Sequence, residues 1–245
     1  MTTLLEKILT FLAPHDCIFC GNEGNVACAA CMTDVVDEAV YACHVCSLPT
    51  VTGQACVDCR SKTSLEAIFA LGLHEAELRR LVAELKFAHA RQVARDVAFS
   101  LADLLPVMEH GTVVVTYLPT SYTRARERGF DQAELLARAV AEQRHLSFNR
   151  LLHRHGDARQ VGSRRTDRFD QARTMFSARS GPLLAGKTVI LVDDVVTTGA
   201  SMEAAGNVLR AAGAECVFGL ALARGSKIGK SYGKQTGVRG IIRRS

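Results

Sequence analysis

The chain has 245 residues, 48% of them hydrophobic, which is enough for one large domain or one medium domain with an appendage. No run approaches the roughly 18 consecutive apolar residues of a spanning helix, so we expect no membrane span. The net charge of +5 is local, because residues 227–245 carry six basic side chains and no acidic one, whereas the rest has 24 basic and 25 acidic side chains. Local basic patches predict anionic ligands, either phosphates or nucleic acid.

The first predicted element is a helix with an apolar face near the N-terminus. Its apolar residues are Leu4, Leu5, Ile8, Leu9, Phe11 and Leu12. A signal peptide is the alternative, but the stretch has a single lysine beside a glutamate, and no small-residue cleavage site follows it. We therefore expect a cytoplasmic protein.

Four C-x-x-C pairs come next. They are Cys17/Cys20, Cys28/Cys31, Cys43/Cys46 and Cys56/Cys59. Each pair can form a knuckle that presents two thiolates to one tetrahedral ion, and two knuckles complete a shell of four cysteines. The spacing predicts two structural Zn²⁺ sites, because a closed shell leaves no open catalytic position. Few apolar residues separate the knuckles, so metal is expected to fold this segment.

Two questions stay open for the cysteine segment. The first is pairing: sequential pairing joins residues 17–31 in one zinc ribbon and 43–59 in the other, whereas cross-braced pairing joins alternate knuckles. The second is the ligand: a disulfide scaffold needs a secreted context, which is not evident, and iron–sulfur ligation is a further alternative to zinc. His15 and His44 are predicted bystanders, since four thiolates already close each shell.

Strand and helix patterns alternate from residue 67 to residue 118. Residues 67–73 and 113–118 are apolar runs of the strand type, and Pro119 stops the second. Two helical stripes lie between them, consisting of Leu78, Leu81, Val82 and Leu85, and then of Val93, Val97, Leu101, Leu104 and Leu105. This alternation predicts an α/β fold with a parallel sheet.

An arginine-rich loop is predicted over residues 120–132, after the second strand. It contains Arg124, Arg126 and Arg128. A solvated charged loop is the ordinary interpretation of such a run. Its place at the carboxyl end of a core strand favours an anion site instead, because arginine forks suit diphosphate oxygens.

Residues 144–179 form a long basic segment with nine arginines and little periodicity. A poorly patterned stretch of this length inside a domain is usually functional or disordered. We interpret it as a mobile hood over the anion site, with a nucleic-acid-binding arm as the alternative. Residues 181–188 then match the P-loop pattern G-x-x-x-x-G-K-[ST]. Since they lead into a strand rather than a helix, ATPase chemistry is not expected.

Residues 188–201 carry the most specific functional pattern. The apolar run 189–192 does not alternate, which is typical of a central parallel strand covered on both faces. Asp193 and Asp194 follow at its carboxyl end, where ligands of open α/β sheets bind. The alternative is an acidic turn between a core strand and a core helix.

A loop of small residues comes directly before the next predicted helix. Its residues are Thr197, Thr198, Gly199, Ala200 and Ser201. Such a loop at a helix start exposes backbone N–H groups to an anion, and the helix dipole favours negative charge there. Since carboxylates can accept hydrogen bonds from vicinal hydroxyls, the acid pair and the loop together describe a site for a sugar phosphate.

This ordered pattern resembles the phosphoribosyl-diphosphate (PRPP) binding motif of type I phosphoribosyltransferases. In that family the acid pair holds the ribose hydroxyls and the loop holds the 5′-phosphate. The resemblance implies the first role for Asp193 and Asp194 and the second for residues 197–201.

The chain as a whole resembles the ComF family, which is linked to bacterial competence for DNA uptake. The resemblance covers roughly residues 15–225 and depends on the cysteine knuckles and on four further stretches. These are Leu85-Lys86-Phe87, Arg-x-Arg-x-Arg-Gly-Phe-x-Gln at 124–132, Gln160, and Val-Asp-Asp-x-x-Thr-Thr-Gly-Ala-Ser at 192–201. The chain departs from the family pattern at Asp131 and Gln171, which replace Asn, and in the basic tail after Arg224.

The ComF resemblance implies a type I phosphoribosyltransferase-like sheet flanked by helices and preceded by a zinc-ribbon module. The expected domains are 1–62 (N-terminal helix and double zinc ribbon), 63–225 (phosphoribosyltransferase-like) and 226–245 (basic tail, expected to be disordered). It also implies Mg²⁺ bound with PRPP. The implied catalytic residues are Asp193, Asp194, Arg126 and Arg128, and the implied PRPP-binding residues also include Lys86, Arg124 and residues 197–201.

Two functions follow from these predictions. The first is phosphoribosyl transfer from PRPP to an unidentified acceptor, in support of DNA uptake and natural transformation. The second is a non-catalytic module on the same fold, which would engage single-stranded DNA or a DNA-translocating competence protein.

Overall fold

A five-stranded parallel sheet forms the centre of the protein in this computed structural model. The structure describes residues 15–36, 42–50, 53–87, 89–108, 110–155, 175–179 and 184–225. The predicted N-terminal helix, Gln160, Gln171 and the basic tail lie outside the described residues.

Helices and strands alternate along the chain, as the apolar patterns predict. The helices are α1 (Ala29–Val36), α2 (Ala76–Lys86), α3 (Ala90–Asp103), α4 (Tyr122–Arg128), α5 (Gln132–Gln143) and α6 (Ala200–Ala211). The strands are β1 (Ala67–Ala70), β2 (Val113–Tyr117), β3 (Ser147–Phe148), β4 (Leu152–Arg154), β5 (Phe176–Ala178), β6 (Thr188–Val196) and β7 (Cys216–Arg224).

The sheet has the strand order β1-β7-β6-β2-β3, and every neighbouring pair is parallel. The predicted α/β architecture, a parallel sheet flanked by helices with a cysteine-rich segment before it, is therefore confirmed. β4 and β5 form a separate antiparallel pair. Residues 144–179, which the sequence analysis interprets as a hood with little periodicity, therefore contain three short strands, β3, β4 and β5.

Strand β6 lies at the middle of the sheet, and its residues 189–192 are fully buried. Ile190 and Val192 face a core that includes α2, α3 and α5. Val189 and Leu191 face the opposite core, which includes α6 and β5. Because successive side chains of a strand point to opposite faces, burial on both faces removes the polar alternation of a half-exposed strand.

The acid pair lies inside β6 rather than after it. The strand continues to Val196, and Asp193 pairs in register with Ala221 of β7. The prediction that the strand ends before the acids is therefore wrong by four residues. The extension matters because it sends the two carboxylates to opposite faces of the sheet.

The predicted loop over 120–132 is also wrong in part, since its middle forms helix α4. The Ser121 side chain accepts a hydrogen bond from the Arg124 N–H at the start, and Gly129 ends the helix with a φ of 77°. A serine cap and a left-handed glycine are the usual helix boundaries. The short helix has no buried residue.

The first cysteine-rich segment packs into the main core. Val26, Ala27, Met32 and Val35 belong to the same hydrophobic cluster as the α2, α3 and α5 side of the sheet. The domain boundary at residue 62 stays a prediction. Among the described residues, the structure has no helix of the length and apolarity that crossing a membrane requires.

Candidate functional site

The carboxyl ends of β6 and β7 and the starts of α5 and α6 surround the acid pair. Asp194 points to the face covered by α2 and α5, and Asp193 lines a small cavity with residues 195–202 on the α6 side. The structure therefore divides the predicted site into two halves that share one sheet edge.

Asp194 is held in place by three neighbours. Lys86, the last residue of α2, places its Nζ 2.8 Å from Asp194 Oδ2. The Val195 N–H donates to Oδ1 at 2.8 Å, and the Gln132 amide makes a weak contact of 3.5 Å with Oδ2. Sequence analysis predicted Lys86 and Asp194 separately, and the structure brings them into one ion pair.

Gln132 connects α4 to the ion pair between Lys86 and Asp194. The Arg128 guanidinium donates to Gln132 Oε1 at 2.9 Å, and its Cζ lies 5.9 Å from the centre of the exposed Phe87 ring. Gln132 itself is buried at the first position of α5. Arg128 is thereby directed toward the Asp194 half of the site.

The other two arginines are placed differently. Residues four apart share a helix face, whereas residues two apart do not, so Arg126 lies on another face of α4 from Arg124 and Arg128. Both Arg124 and Arg126 are exposed. Within the described ranges, no hydrogen bond or ion pair joins either of them to Asp193 or Asp194.

Asp193 has an unusual protonation equilibrium. Burial raises the pKa of its carboxyl well above the ordinary value, and the nearby charge of Asp194 raises it further. The hydrogen bond from the Asp194 N–H to Asp193 Oδ1, 2.8 Å long, acts in the opposite direction. Asp193 therefore holds a proton more readily than an exposed aspartate.

The small-residue loop has the geometry of an anion site. Gly199 stands before the first residue of α6 with φ 76° and ψ −6°, so the chain turns sharply and the helix N-terminus faces the cavity. The cavity measures about 60 Å³ and is lined by Asp193 and residues 195–202. A cavity of this size at a helix N-terminus has room for a small oxyanion.

Replacing Gly199 with Ala is expected to lower the free energy of unfolding by about 1–2 kcal/mol, because an L-residue is strained at this φ. Urea unfolding would measure the change. Gly111→Ala is the matched control, since a Cβ there meets no atom within 4 Å and its φ is not left-handed. Equal effects of the two substitutions would contradict the strain argument.

Asp131 fills a structural role at the start of α5. One carboxylate oxygen accepts hydrogen bonds from the Ala133 and Glu134 N–H groups, and the other accepts from the Thr120 N–H at 2.8 Å. An asparagine has only one acceptor oxygen, so it could not make both sets of bonds. Asp131 thus links the end of β2 to α5.

Two residues near the site were not among the predicted ligands. Gln132 belongs to the arginine motif at 124–132. Because it directly follows Asp131, the residue that caps α5, its side chain could have been predicted to point into the protein. His74 follows β1, and burial together with the charges of Lys86 and Arg79 lowers its pKa. Its proximity to Lys86 depends on tertiary structure and has no signal in the sequence.

The eight paired cysteines form two clusters. One contains Cys17, Cys20, Cys28 and Cys31, the other contains Cys43, Cys46, Cys56 and Cys59, and in each the Sγ atoms lie within 4.8 Å of one another. Sequential pairing is therefore confirmed and cross-braced pairing is wrong. His15 and His44 belong to neither group, as predicted.

Both clusters fit a tetrahedral zinc ion. The Sγ atoms of Cys20 and Cys28 are 3.7 Å apart and those of Cys46 and Cys56 are 3.6 Å apart, close to the roughly 3.8 Å that Zn–S bonds of about 2.3 Å produce. Burial raises the pKa of the Cys17 and Cys43 thiols, but backbone N–H donors lower the net pKa of each to about 6. These sulfurs are suited to act as thiolate ligands.

Comparison with known proteins points to one family. The family model described as the phosphoribosyl transferase domain matches residues 91–241. Comparison with curated proteins gives no match.

Two solved structures are similar to this chain. One is described as the allosteric regulatory enzyme of purine biosynthesis, with 22% identity over 57% of this chain and a TM-score of 0.38, and this chain covers 30% of its length. The other is TT1426 from Thermus thermophilus, with 20% identity over 61% of this chain and 81% of that one, and a TM-score of 0.35.

Proposed function

The chain belongs to the phosphoribosyl transferase domain family, and from this premise we propose that it binds PRPP at the carboxyl edge of its sheet and transfers the phosphoribosyl group to an acceptor. The observation that carries the proposal is the anion-sized cavity at the start of α6, with Asp193 in its wall and Asp194 next along the strand. A phosphate pocket beside a pair of carboxylates matches the 5′-phosphate and ribose hydroxyls of PRPP.

The two halves of the site receive different parts of the substrate. The 5′-phosphate occupies the cavity, where the N–H groups of residues 199–201 and the α6 dipole favour negative charge. The ribose lies over the acid pair. The diphosphate extends toward Lys86 and Arg128, which place positive charge beside Asp194.

Mg²⁺ fits this arrangement because it prefers oxygen ligands and is usually held by one or two carboxylates together with substrate phosphates. Asp194, on the face where Lys86 and Arg128 lie, would supply a carboxylate. When bound, the ion neutralises part of the diphosphate charge. Lys86 is paired with Asp194 in the free protein, so we expect the lysine to turn toward the diphosphate on binding.

Charge stabilisation accounts for the proposed chemistry. Departure of the diphosphate leaves oxocarbenium character on the ribose, and carboxylates held close to the ring stabilise that positive charge. Arg128, held by Gln132, stabilises the leaving group. The segment around β4 and β5 is proposed to cover the site and exclude water, which otherwise hydrolyses the reactive sugar.

Calorimetric titration with PRPP and with ribose 5-phosphate, both with Mg²⁺, tests this assignment. We expect Arg128→Ala to weaken PRPP binding about tenfold, because it removes a charge-assisted hydrogen bond to the diphosphate. Binding of ribose 5-phosphate should be nearly unchanged, since that ligand lacks the diphosphate.

Arg138→Ala is the matched control, because Arg138 lies exposed on α5 and pairs with Glu134. If wild-type protein binds PRPP no better than ribose 5-phosphate, the assignment fails. Mg²⁺-dependent diphosphate release in the presence of nitrogenous bases and amines then tests transfer. Binding without release for every acceptor would leave a PRPP-binding module.

A nucleic-acid-binding function is the second candidate, and the surface of α4 favours it. Arg124 and Arg126 are exposed there, and Tyr122 is 80% exposed. Exposed aromatic rings with nearby arginines suit stacked bases and phosphates of a single strand. With the ComF resemblance, this surface supports a role in DNA uptake through single-stranded DNA or a DNA-translocating partner.

Binding of a single-stranded oligonucleotide at two salt concentrations distinguishes this candidate. Phosphate contacts make affinity steeply salt-dependent, and Tyr122→Ala should weaken binding through lost stacking. Binding that is unchanged by Tyr122→Ala and by deletion of residues 226–245 would exclude both proposed contact regions.

The cytoplasmic location and the three-part domain division remain part of the proposal.

A further inference from the structure

The second cysteine cluster lies against the part of the protein that forms the phosphate cavity. Cys43 and Cys59 are buried in it. The chain between its two knuckles pairs with the start of β1 through a bridge between Gln54 and Ala67 and a hydrogen bond of 2.9 Å from the Ala55 N–H to the Glu66 carbonyl. Residues 63–66 then run beside α6.

Glu203, in the first turn of α6, binds this connecting segment with both carboxylate oxygens. Thr63 Oγ1 donates to Oε2 at 2.6 Å, and the Ser64 N–H donates to Oε1 at 2.7 Å. Because the Thr63 hydroxyl donates to Glu203, His44 Nε2 at 2.9 Å from that oxygen acts as a donor to it. The chain of contacts runs from His44, beside Cys43, to the helix that begins at the phosphate loop.

A carboxylate in this position needs an explanation. An acid in the first turn of a helix interacts well with the dipole, but it would repel a phosphate bound at the same N-terminus. Residues 63 and 64 donate to both of its oxygens, so the carboxylate is turned toward the connecting segment. Its contacts indicate that it fixes where the helix begins.

Arg224 forms a second connection between the cluster and the loop. Its side chain is fully buried at the end of β7, its Nη1 donates to the Ala42 carbonyl at 3.3 Å, and its charge lies close enough to Cys43 to interact. Its Nε and Nη2 have no hydrogen-bond partner among the described residues. A zinc ion with four thiolates carries two negative charges, which this buried cation would balance.

The end of β7 is also joined to the start of the phosphate loop. Arg224 pairs in register with Val196, and the Gly225 N–H donates to the Val196 carbonyl at 2.8 Å. A Cβ at Gly225 would lie 3.0 Å from Thr197 Cα, so the two segments are in close contact. The start of the loop, at Thr197, and the first turn of α6, at Glu203, are therefore both connected to the second cluster.

The first cluster is attached elsewhere. The Ala27 N–H donates to Asp96 of α3 at 2.9 Å, and Arg80 of α2 donates to the Ile18 carbonyl. In the described part of the chain, no hydrogen bond joins residues 15–36 to β6, the loop or α6. The two clusters have the same ligands but different neighbours.

We propose that zinc in the second cluster holds the phosphate loop in its binding geometry, with Glu203 and Arg224 as the positioning residues. This inference depends on the proposed function for its ligand, PRPP. Metal at Cys43, Cys46, Cys56 and Cys59 sets the affinity for the 5′-phosphate through residues 63–64 and the end of β7. Metal in the first cluster stabilises the opposite side of the sheet.

The test compares Cys46→Ser with Cys20→Ser. Both cysteines are exposed, and each is the second cysteine of the first knuckle in its cluster. Each variant should lose one of two bound zinc ions, measured by metal analysis. The Kd for PRPP with Mg²⁺ should rise at least tenfold more in Cys46→Ser than in Cys20→Ser. Equal effects of the two variants would overturn the proposal.

Hydrogen–deuterium exchange without ligand gives an independent measurement. Exchange of residues 197–206 should increase in Cys46→Ser and change less in Cys20→Ser. If wild-type protein does not bind PRPP, the proposed function fails, and the exchange difference still decides whether the cluster holds the loop.

Glu203→Gln is a second variant that tests the proposal if Cys46→Ser does not fold. It retains both zinc ligand sets and the acceptor for the Ser64 N–H, but its amide nitrogen cannot accept from Thr63. We expect a Kd for PRPP about tenfold higher or more, from the loss of one hydrogen bond to a charged group, and faster exchange at residues 197–206. An unchanged Kd and unchanged exchange would overturn the proposal.

Discussion

Replacing Asp194 with Asn is expected to raise the Kd for PRPP by about 100-fold. The substitution removes the negative charge that pairs with Lys86 at 2.8 Å and that we propose to accept the ribose hydroxyls. Hydrogen bonds to charged groups contribute about 1.5–3 kcal/mol, and each 1.4 kcal/mol corresponds to about a tenfold change in affinity. Calorimetric titration with PRPP and Mg²⁺ measures the difference.

The fold should tolerate this change. The asparagine carbonyl can still accept from the Val195 N–H, and Lys86 is 26% exposed, so water can solvate the unpaired ammonium. Glu142→Gln, at an exposed position on α5, is the control for loss of one negative charge. Equal PRPP affinity in wild type and Asp194→Asn would remove Asp194 from the binding site.

Replacing Asp193 with Asn is expected to have opposite effects on stability and binding. The folded protein should become more stable at pH 7, because the substitution removes a partly buried carboxylate beside the charge of Asp194. Each kcal/mol gained raises Tm by roughly 2–4 °C in a protein of this size. PRPP affinity should fall about tenfold or more, since the site loses a proposed acceptor for a ribose hydroxyl.

The pH dependence of wild-type stability follows from the raised pKa of Asp193. The folded carboxyl keeps its proton to higher pH than the unfolded one, so folding takes up a proton between the two pKa values. The free energy of unfolding therefore falls as pH rises from the ordinary aspartate value, about 4, through the folded pKa of Asp193. Asp193→Asn should remove this part of the decline.

Thermal unfolding between pH 4 and pH 8 checks both statements. Glu142→Gln again serves as the control, and its unfolding curve should follow that of wild type. A lower Tm for Asp193→Asn at pH 7 would contradict the buried-charge argument. A higher Tm with undiminished PRPP binding would make Asp193 a structural residue only.

Local patterns were sufficient to predict the two cysteine clusters and the sheet. A C-x-x-C knuckle is formed by adjacent residues, so its spacing predicts its geometry directly. Residues 189–192 predict a central strand because only a strand buried on both faces has no polar alternation. The small-residue loop at 197–201 could also be predicted from a local pattern, since it depends on a glycine just before a helix.

The arginine segment was harder to predict because two local signals compete there. A run of arginines near a glycine suggests a loop, whereas Ser121 and Gly129 also bound a good helix. The helix decides which side chains face the site. It directs Arg128 to Gln132 and places Arg126 on another face, a distinction that a loop prediction does not contain.

Residues close together in the chain specify the parallel sheet, the two groups of four cysteines and the acid pair beside a small-residue loop, so these features could be predicted from the sequence. The ion pair between Lys86 and Asp194 and the attachment of the second cluster to α6 arise only when the chain folds. Thr63 and Glu203 are 140 residues apart in sequence and 2.6 Å apart between their oxygens. Such contacts form because β1, β6 and β7 lie side by side in the sheet, and no local pattern encodes the order of the strands.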